Sequence, residues 1–275
     1  MHMKLSPSQI TEFRKKIYDY YKQHKRPMPW RNCDNPYYVV ISELMLQQTQ
    51  VPRVLQKFPE FITAFPDFSA LARAPMKDVI TMWQGMGYNR RAKYLKQIAE
   101  KVVGEYGSIL PSDSSILETF PGIGPATAGS IAAFAYNTPT IFIETNIRRV
   151  HLHFFFPETK DVHDKEIKQV VEQTLDRKQP REWYYALMDY GTMMMKSLDN
   201  PNKRSKHYSL QSRFEGSDRQ IRGRVLKVLV SQQNVTKEQF LRLLHDEEER
   251  VSQILDKMEQ EGMIVRDKTR YRLPD

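Results

Sequence analysis

The chain has 275 residues, 40% of them hydrophobic, enough for one large or two modest domains with proper cores. Its formal net charge is +9, yet residues 216–275 carry 12 basic against 11 acidic side chains, so the remainder is the basic part and points to a polyanionic partner, nucleic acid first. No apolar run approaches the roughly 20 residues of a membrane span, and the single cysteine, Cys33, excludes a disulfide or a cysteine metal cluster within one chain.

In chain order, Ile10, Phe13, Ile17 and Tyr20 recur at helical spacing between Ser8 and Tyr21. Met28-Pro-Trp-Arg31 breaks that helix, because proline disfavours helical backbone just before it. Tyr37 to Gln50 reads as a mostly apolar helix that contains Glu43; a carboxylate in such a setting is paired, protonated or facing a cleft. Short helices separated by Pro59, Pro66 and Pro75 follow, then a turn at Gly85-Met-Gly-Tyr88 and a helix with Ala92, Leu95, Ala99 and Val102 on one face.

Phe120-Pro-Gly-Ile-Gly-Pro-Ala-Thr-Ala-Gly129 organises the middle of the chain. Gly122 and Gly124 allow a tight turn, and Pro125 suits the first turn of a new helix. Helix, hairpin, helix is the expected outcome, with the amides after Gly124 forming a seat for phosphate. An ordinary turn between two core helices fits this stretch alone equally well. Thr140-Ile-Phe-Ile143 leads to Glu144-Thr-Asn-Ile-Arg-Arg-Val150, and helices are expected over 164–175 and 181–196. Residues 197–217 lack an apolar period and read as a basic connector or docking loop. Three short helices and a hairpin over 263–273 then resemble a winged-helix domain, whose third helix opens on the acidic run His245-Asp-Glu-Glu-Glu-Arg250.

Four stretches point the same way: Met28-Pro-Trp-Arg31, Ser42-Glu-Leu-Met-Leu-Gln-Gln-Thr-Gln-Val51, Trp83-Gln-Gly-Met-Gly-Tyr-Asn-Arg-Arg-Ala92, and the glycine hairpin with Glu144-Thr-Asn-Ile-Arg-Arg-Val150. Together they resemble the helix-hairpin-helix superfamily of DNA glycosylases, most closely its MutY adenine glycosylase branch, over about residues 8 to 196. The resemblance implies an all-α, two-lobed body (1–199), followed here by a connector (200–217) and a small α+β winged helix (218–275). It implies hydrolysis of the N-glycosidic bond of a mispaired or damaged base, adenine foremost, in duplex DNA. Mismatched uracil or thymine, another modified base, or lesion binding without catalysis stay open.

Base removal needs a flipped nucleotide, an acid for the leaving base and a carboxylate for the oxocarbenium-like sugar. The resemblance assigns these roles to Glu43, in an apolar setting that would raise its pKa, and to Glu144. It places Trp30, Arg31 and Asp189 at the base pocket, although core packing for Trp30 and a surface position for Asp189 fit as well. Gln47, Gln48 and Tyr88 fall on positions that wedge into the duplex, and Gly122, Gly124, Ala126 and Thr127 on phosphate-binding positions.

This chain departs from the family pattern at several points. Glu144 stands where the family has aspartate, a side chain longer by roughly 1.5 Å. Ala126 replaces the lysine of strand-cutting relatives and the tyrosine or serine of many MutY enzymes, so no lyase activity is expected. Met193-Met-Met195 and a basic loop follow where many relatives carry four cysteines for an iron–sulfur cluster, so no such cofactor is expected, while a monovalent cation could sit at the hairpin. Lys203, Arg204, Lys206 and His207 are candidates for phosphate contacts. A winged helix stands where MutY enzymes usually add a Nudix-like domain; its basic wing (Arg266, Lys268, Arg270, Arg272) suits DNA, and a protein-docking role for the domain fits equally well. A monomer in a reducing cytoplasm, at the nucleoid in a prokaryote, completes the expectation; the start Met1-His2-Met3-Lys4 lacks a signal peptide's apolar stretch.

Overall fold

The computed structural model describes residues 3–31, 35–197, 200–211 and 213–274, with the side chains of 196 and 197 set aside; the expectations drawn from His2 and Cys33 lie outside these residues. The fold is an all-helical body with a small C-terminal domain. Two compact units are built from interleaved stretches of chain, the first from 1–40 and 111–210, the second from 41–110 and 211–275. No described helix is long and apolar enough to cross a membrane.

The first unit contains α1 (Pro7–His24), α7 (Ser114–Leu117), α8 (Pro125–Tyr136), α9 (Thr145–Phe155), α10 (Asp164–Thr174) and α11 (Pro180–Ser197). Ser6 starts α1 with a capping box shared with Gln9, so two amide donors at the helix end are satisfied by side chains. Aromatic edges fill the core: Phe13 meets Trp183 at 5.7 Å and 82°, and Phe134 stacks on Tyr185 at 4.5 Å. Gly191 lets α11 pass close to α9, since a Cβ there would stand 2.7 Å from that of Asn146. The supposed connector is, in its first half, a packed strap. Asn202 and Ser205 are buried, and the backbone of Arg204 and Lys206 bonds Val162.

The second unit takes α3 (Val51–Ala64), α4 (Phe68–Arg73), α5 (Met76–Met82) and α6 (Arg90–Tyr106), and α2 (Pro36–Leu46) carries the chain into it from the first. Two expectations need correction here. The apolar helix stops at Leu46 rather than Gln50, because Gln48 takes a left-handed φ of 56° and a new helix, α3, begins at Val51 with Pro52 in its first turn. Pro59 does not break α3. It lies on the exposed side, where water can take the carbonyl it frees, while Val54, Phe58 and Phe61 bury the other face.

The tail of the second unit holds α12 (Asp218–Ser231), α13 (Lys237–Leu244) and α14 (Glu248–Gln260). Strands β1 (Val235–Thr236), β2 (Val265–Asp267) and β3 (Arg270–Arg272) form an antiparallel sheet in the order β1-β3-β2. The acidic helix begins at Glu248 instead of His245, which closes α13 in a left-handed cap at φ 53°. The tail's core is not its own, since Met76 and Ile80 of α5 join Ile221, Val225, Leu229 and Met258 in one buried cluster.

His151 is fully buried in α9, with Nδ1 2.8 Å from the Ile147 carbonyl and Nε2 3.0 Å from the Thr174 hydroxyl. Burial pushes its pKa down from 6.5 to about 4, so the fold holds it neutral. That stability is complete above pH 6.5 and lost as pH falls toward 4, on the order of 3 kcal/mol at 1.36 kcal/mol per unit. Denaturant melts at pH 7 and pH 4.5 should show a smaller acid loss in His151→Gln than in the parent; equal losses would overturn the assignment.

Candidate functional site

The hairpin occupies Leu117 to Pro125. Phe120 N–H bonds the Leu117 carbonyl at 3.0 Å and Ile123 N–H bonds the Phe120 carbonyl at 3.2 Å, so two overlapping turns reverse the chain. Gly122 has φ 74°, which explains the glycine there. Gly124 has an ordinary φ of −92°, and a Cβ there would meet open space, so neither torsion nor packing demands glycine at this position. Ile123 is buried and anchors the tip, whereas Gly122, Gly124 and Ala126 are exposed. Pro125 opens α8 and no side chain caps that end, so the positive end of the helix dipole is presented there beside the exposed Gly124 and Ala126.

Glu144 is the N-cap of α9. Its Oε1 accepts the backbone N–H of Asn146 at 2.7 Å and of Ile147 at 2.8 Å, and its Oε2 accepts the Asn146 amide at 3.2 Å. Burial pushes its carboxyl above the usual glutamate value, opposed by those N–H donors and by the charge of Arg149. Arg149 is buried and donates to Asn146 Oδ1 at 2.7 Å and to the Gly191 carbonyl at 2.8 Å. The strap locks the same helix: Asn202 donates to the Thr145 carbonyl at 3.1 Å and Arg204 to the Leu152 carbonyl at 2.9 Å. Of the candidate phosphate ligands, Arg204 is half-buried and donates to the C-terminal turn of α9, while Lys203 and Lys206 are exposed.

Trp30, Arg31 and Asp189 come together. Trp30 lies in a 3-10 turn, Pro29–Arg31, and is buried. Both oxygens of Asp189 lie 2.9 Å from Arg31 Nη1, its Oδ1 is 2.6 Å from Arg26 Nε, and its Oδ2 accepts the Arg26 backbone N–H at 2.9 Å. The Arg31 guanidinium also lies over the Tyr185 ring at 4.5 Å. A surface position for Asp189 is therefore corrected: its side chain is 1% exposed, and it ties the 26–31 turn to α11.

In the second unit Glu43 sits half-buried on α2 between buried Ser42 and Leu44. Gln47, Gln48 and Tyr88 lie on two loops joined by Arg91, a residue that the sequence motif contains but that sequence reasoning did not single out. One Arg91 nitrogen donates to the carbonyls of Leu44 at 2.8 Å, Met45 at 2.9 Å and Gln47. The other reaches the Thr49 hydroxyl at 2.9 Å and the carbonyls of Met86 at 3.1 Å and Gly87 at 2.9 Å. Gln48 and Tyr88 both hold left-handed backbone, at φ 56° and 45°, a conformation worth roughly 1–3 kcal/mol of strain in residues with side chains. No sequence signal reveals Arg91's role, because all its acceptors but the Thr49 hydroxyl are backbone carbonyls that any residue carries.

Residues 41–177 match the HhH-GPD superfamily of base excision DNA repair proteins. The chain is 31% identical over 236 residues to the adenine DNA glycosylase of Mycobacterium tuberculosis, covering 76% of each protein. It is 31% identical over 202 residues to the adenine DNA glycosylase of Mus musculus, covering 69% of this chain and 39% of that protein. Among solved structures, a thermostable thymine-DNA glycosylase aligns with a TM-score of 0.62 at 20% identity, over 72% of this chain and 92% of that one. An endonuclease III trapped as a covalent intermediate with DNA aligns at 0.58 and 16% identity, over 71% and 91%; at such identities the likeness concerns the fold alone.

Asp189→Asn keeps the shape of the clamp but removes the charge shared by Arg26 and Arg31. Breaking a buried pair on one side costs about 3 kcal/mol, and a calorimetric melt should show a loss of that order. An unchanged melting temperature would mean that the arginines find other partners.

Proposed function

Since the chain belongs to the HhH-GPD superfamily of base excision DNA repair proteins, we propose that it removes adenine from mispaired or damaged duplex DNA and leaves the strand uncut. It is a DNA N-glycosylase. The choice of adenine rests on one observation, the 31% identity to relatives named adenine DNA glycosylase across most of the chain.

In this reading phosphates of the duplex sit on the exposed hairpin at Gly122, Gly124, Ala126 and Thr127, where backbone N–H groups and the dipole of α8 meet negative charge. Gln47, Gln48 and Tyr88 enter the stack and hold the strand opposite the extruded nucleotide, and Lys203 and Lys206 add phosphate contacts. Trp30 and Arg31 line the base pocket, and Asp189 holds Arg31 in place. Glu43 protonates the leaving adenine and Glu144 stabilises the developing positive charge on the sugar. Capping supports that second role: two amide donors and a helix N-terminus stabilise the carboxylate form, and the extra methylene of glutamate folds back on its own helix.

Ala126 has no amine with which to form a Schiff base, which supports hydrolysis without strand cleavage. One cysteine cannot supply the four thiolates of an iron–sulfur cluster, so the residues do not fit that group, and the strap of Asn202 and Arg204 on α9 occupies the corresponding stretch of chain. A monovalent cation at the hairpin, a monomeric state, a cytoplasmic or nucleoid location and a protein partner on the C-terminal winged helix belong to the same reading.

Single-turnover base release tests it on duplexes holding adenine opposite 8-oxoguanine or guanine, and uracil or thymine opposite guanine. Alkali-dependent breaks at adenine are expected, reduced about a hundredfold or more in Glu43→Gln and in Glu144→Gln. Glu144→Asp, a good N-cap, should retain most of the rate. Because burial raises the Glu144 carboxyl, the acid limb of the parent's rate profile should lie above pH 4.5 and disappear in Glu144→Gln. Breaks without alkali would overturn the strand-sparing reading. Release of thymine or uracil instead would reassign the base, and tight binding without any release would favour a lesion sensor.

A further inference from the structure

The second unit contains one contact that the glycosylase reading does not use. Tyr88 of the 85–88 turn meets two side chains of the C-terminal segment: its hydroxyl accepts hydrogen bonds from Gln211 and from Arg219, and the Arg219 guanidinium lies over its ring at 5.1 Å. Arg91 lies over the same ring at 5.6 Å, from within the body. Arg219 stands in the first turn of α12, and α12 cannot drift, because Ile221 and Val225 share a buried core with Met76 and Ile80 of α5. Around Glu261 a second set of contacts fixes the same docking: Lys93 donates to its carbonyl, and Arg90 and Arg222 pair with its carboxylate.

We propose that the C-terminal domain is a positioning element for the duplex wedge, with Arg219, aided by Gln211, holding the Tyr88 ring in the pose that enters the base stack. This rests on the wedge role assigned to Tyr88 above. A ring on a left-handed residue in a glycine-rich turn has rotamers to lose when it inserts, and two guanidiniums reduce that cost before DNA arrives. Arg219 is therefore a positioning residue. It acts through Tyr88 and needs no contact with a phosphate.

The test is a double-mutant cycle in the full chain, read on a duplex with a tetrahydrofuran abasic analogue opposite 2-aminopurine. Arg219→Ala is expected to weaken binding about fivefold, and Tyr88→Ala about tenfold or more. The double variant should bind no more weakly than Tyr88→Ala, because the arginine has nothing left to hold. The salt dependence of binding should stay as in the parent, Arg219→Lys should restore little, and the 2-aminopurine signal should lose its wedge-dependent change in Arg219→Ala. Thermal melts identify any variant that fails to fold, and for such a variant Tyr88→Phe, which keeps the ring but drops the hydroxyl, gives an intermediate loss if the proposal holds. Additive losses, a salt slope lower by about one and rescue by lysine would overturn it in favour of a direct phosphate contact. Non-additive binding in a chain that releases no base would overturn the catalytic reading and still support the coupling.

Discussion

One buried cation, Arg91, fixes the geometry of the two loops that carry Gln47, Gln48 and Tyr88. The guanidinium of Arg91 has no carboxylate partner among its bonds; it is surrounded by the carbonyls that end α2 and those of the 85–88 turn. Burial lowers its pKa to about 10, so it stays charged at neutral pH, and the negative end of the α2 dipole offsets its desolvation. Carbonyl dipoles also have directions, and a planar fork can satisfy only one arrangement of them. The strained backbone at Gln48 and Tyr88 persists because this network over-determines it.

The carboxylates divide their labour by environment. Asp189 is surrounded by two arginines and behaves as a fixed piece of framework. Glu144 is held by a helix terminus instead, where the donors are backbone amides of the helix it starts. Such a cap orients a carboxylate without neutralising it by an ion pair. Gly191 keeps α11 close enough for Arg149 to bridge its carbonyl to Asn146, so a glycine on one helix sets the orientation of an acid on another.

Much of this was legible in the chain. The hairpin could be read because Gly122 needs positive φ and Pro125 tolerates a missing N–H, both local facts. Three helices and a hairpin in the tail followed from apolar spacing. Pro59 misled, because a proline on the solvent side of a well-buried helix costs less than the packing returns. Arg204 shows a different limit: a basic loop carries no local sign that one of its arginines donates to a carbonyl of α9. Arg91, Arg219 and the shared core of α5 and α12 left no local trace, since each depends on residues tens to more than a hundred positions apart.

The interleaving of the two units also bears on synthesis. As the chain leaves the ribosome, residues 41–110 emerge with Met76 and Ile80 uncovered, and the side chains that cover them begin only at Ile221. The first unit waits in the same way, its opening 40 residues needing 111–210. Neither unit closes on itself as it is translated, so the nascent chain carries exposed apolar surface for much of its elongation. A ribosome that stops before Ile221 leaves the face of α5 bare, which marks an unfinished repair protein as unfinished to any chaperone or protease that binds apolar surface.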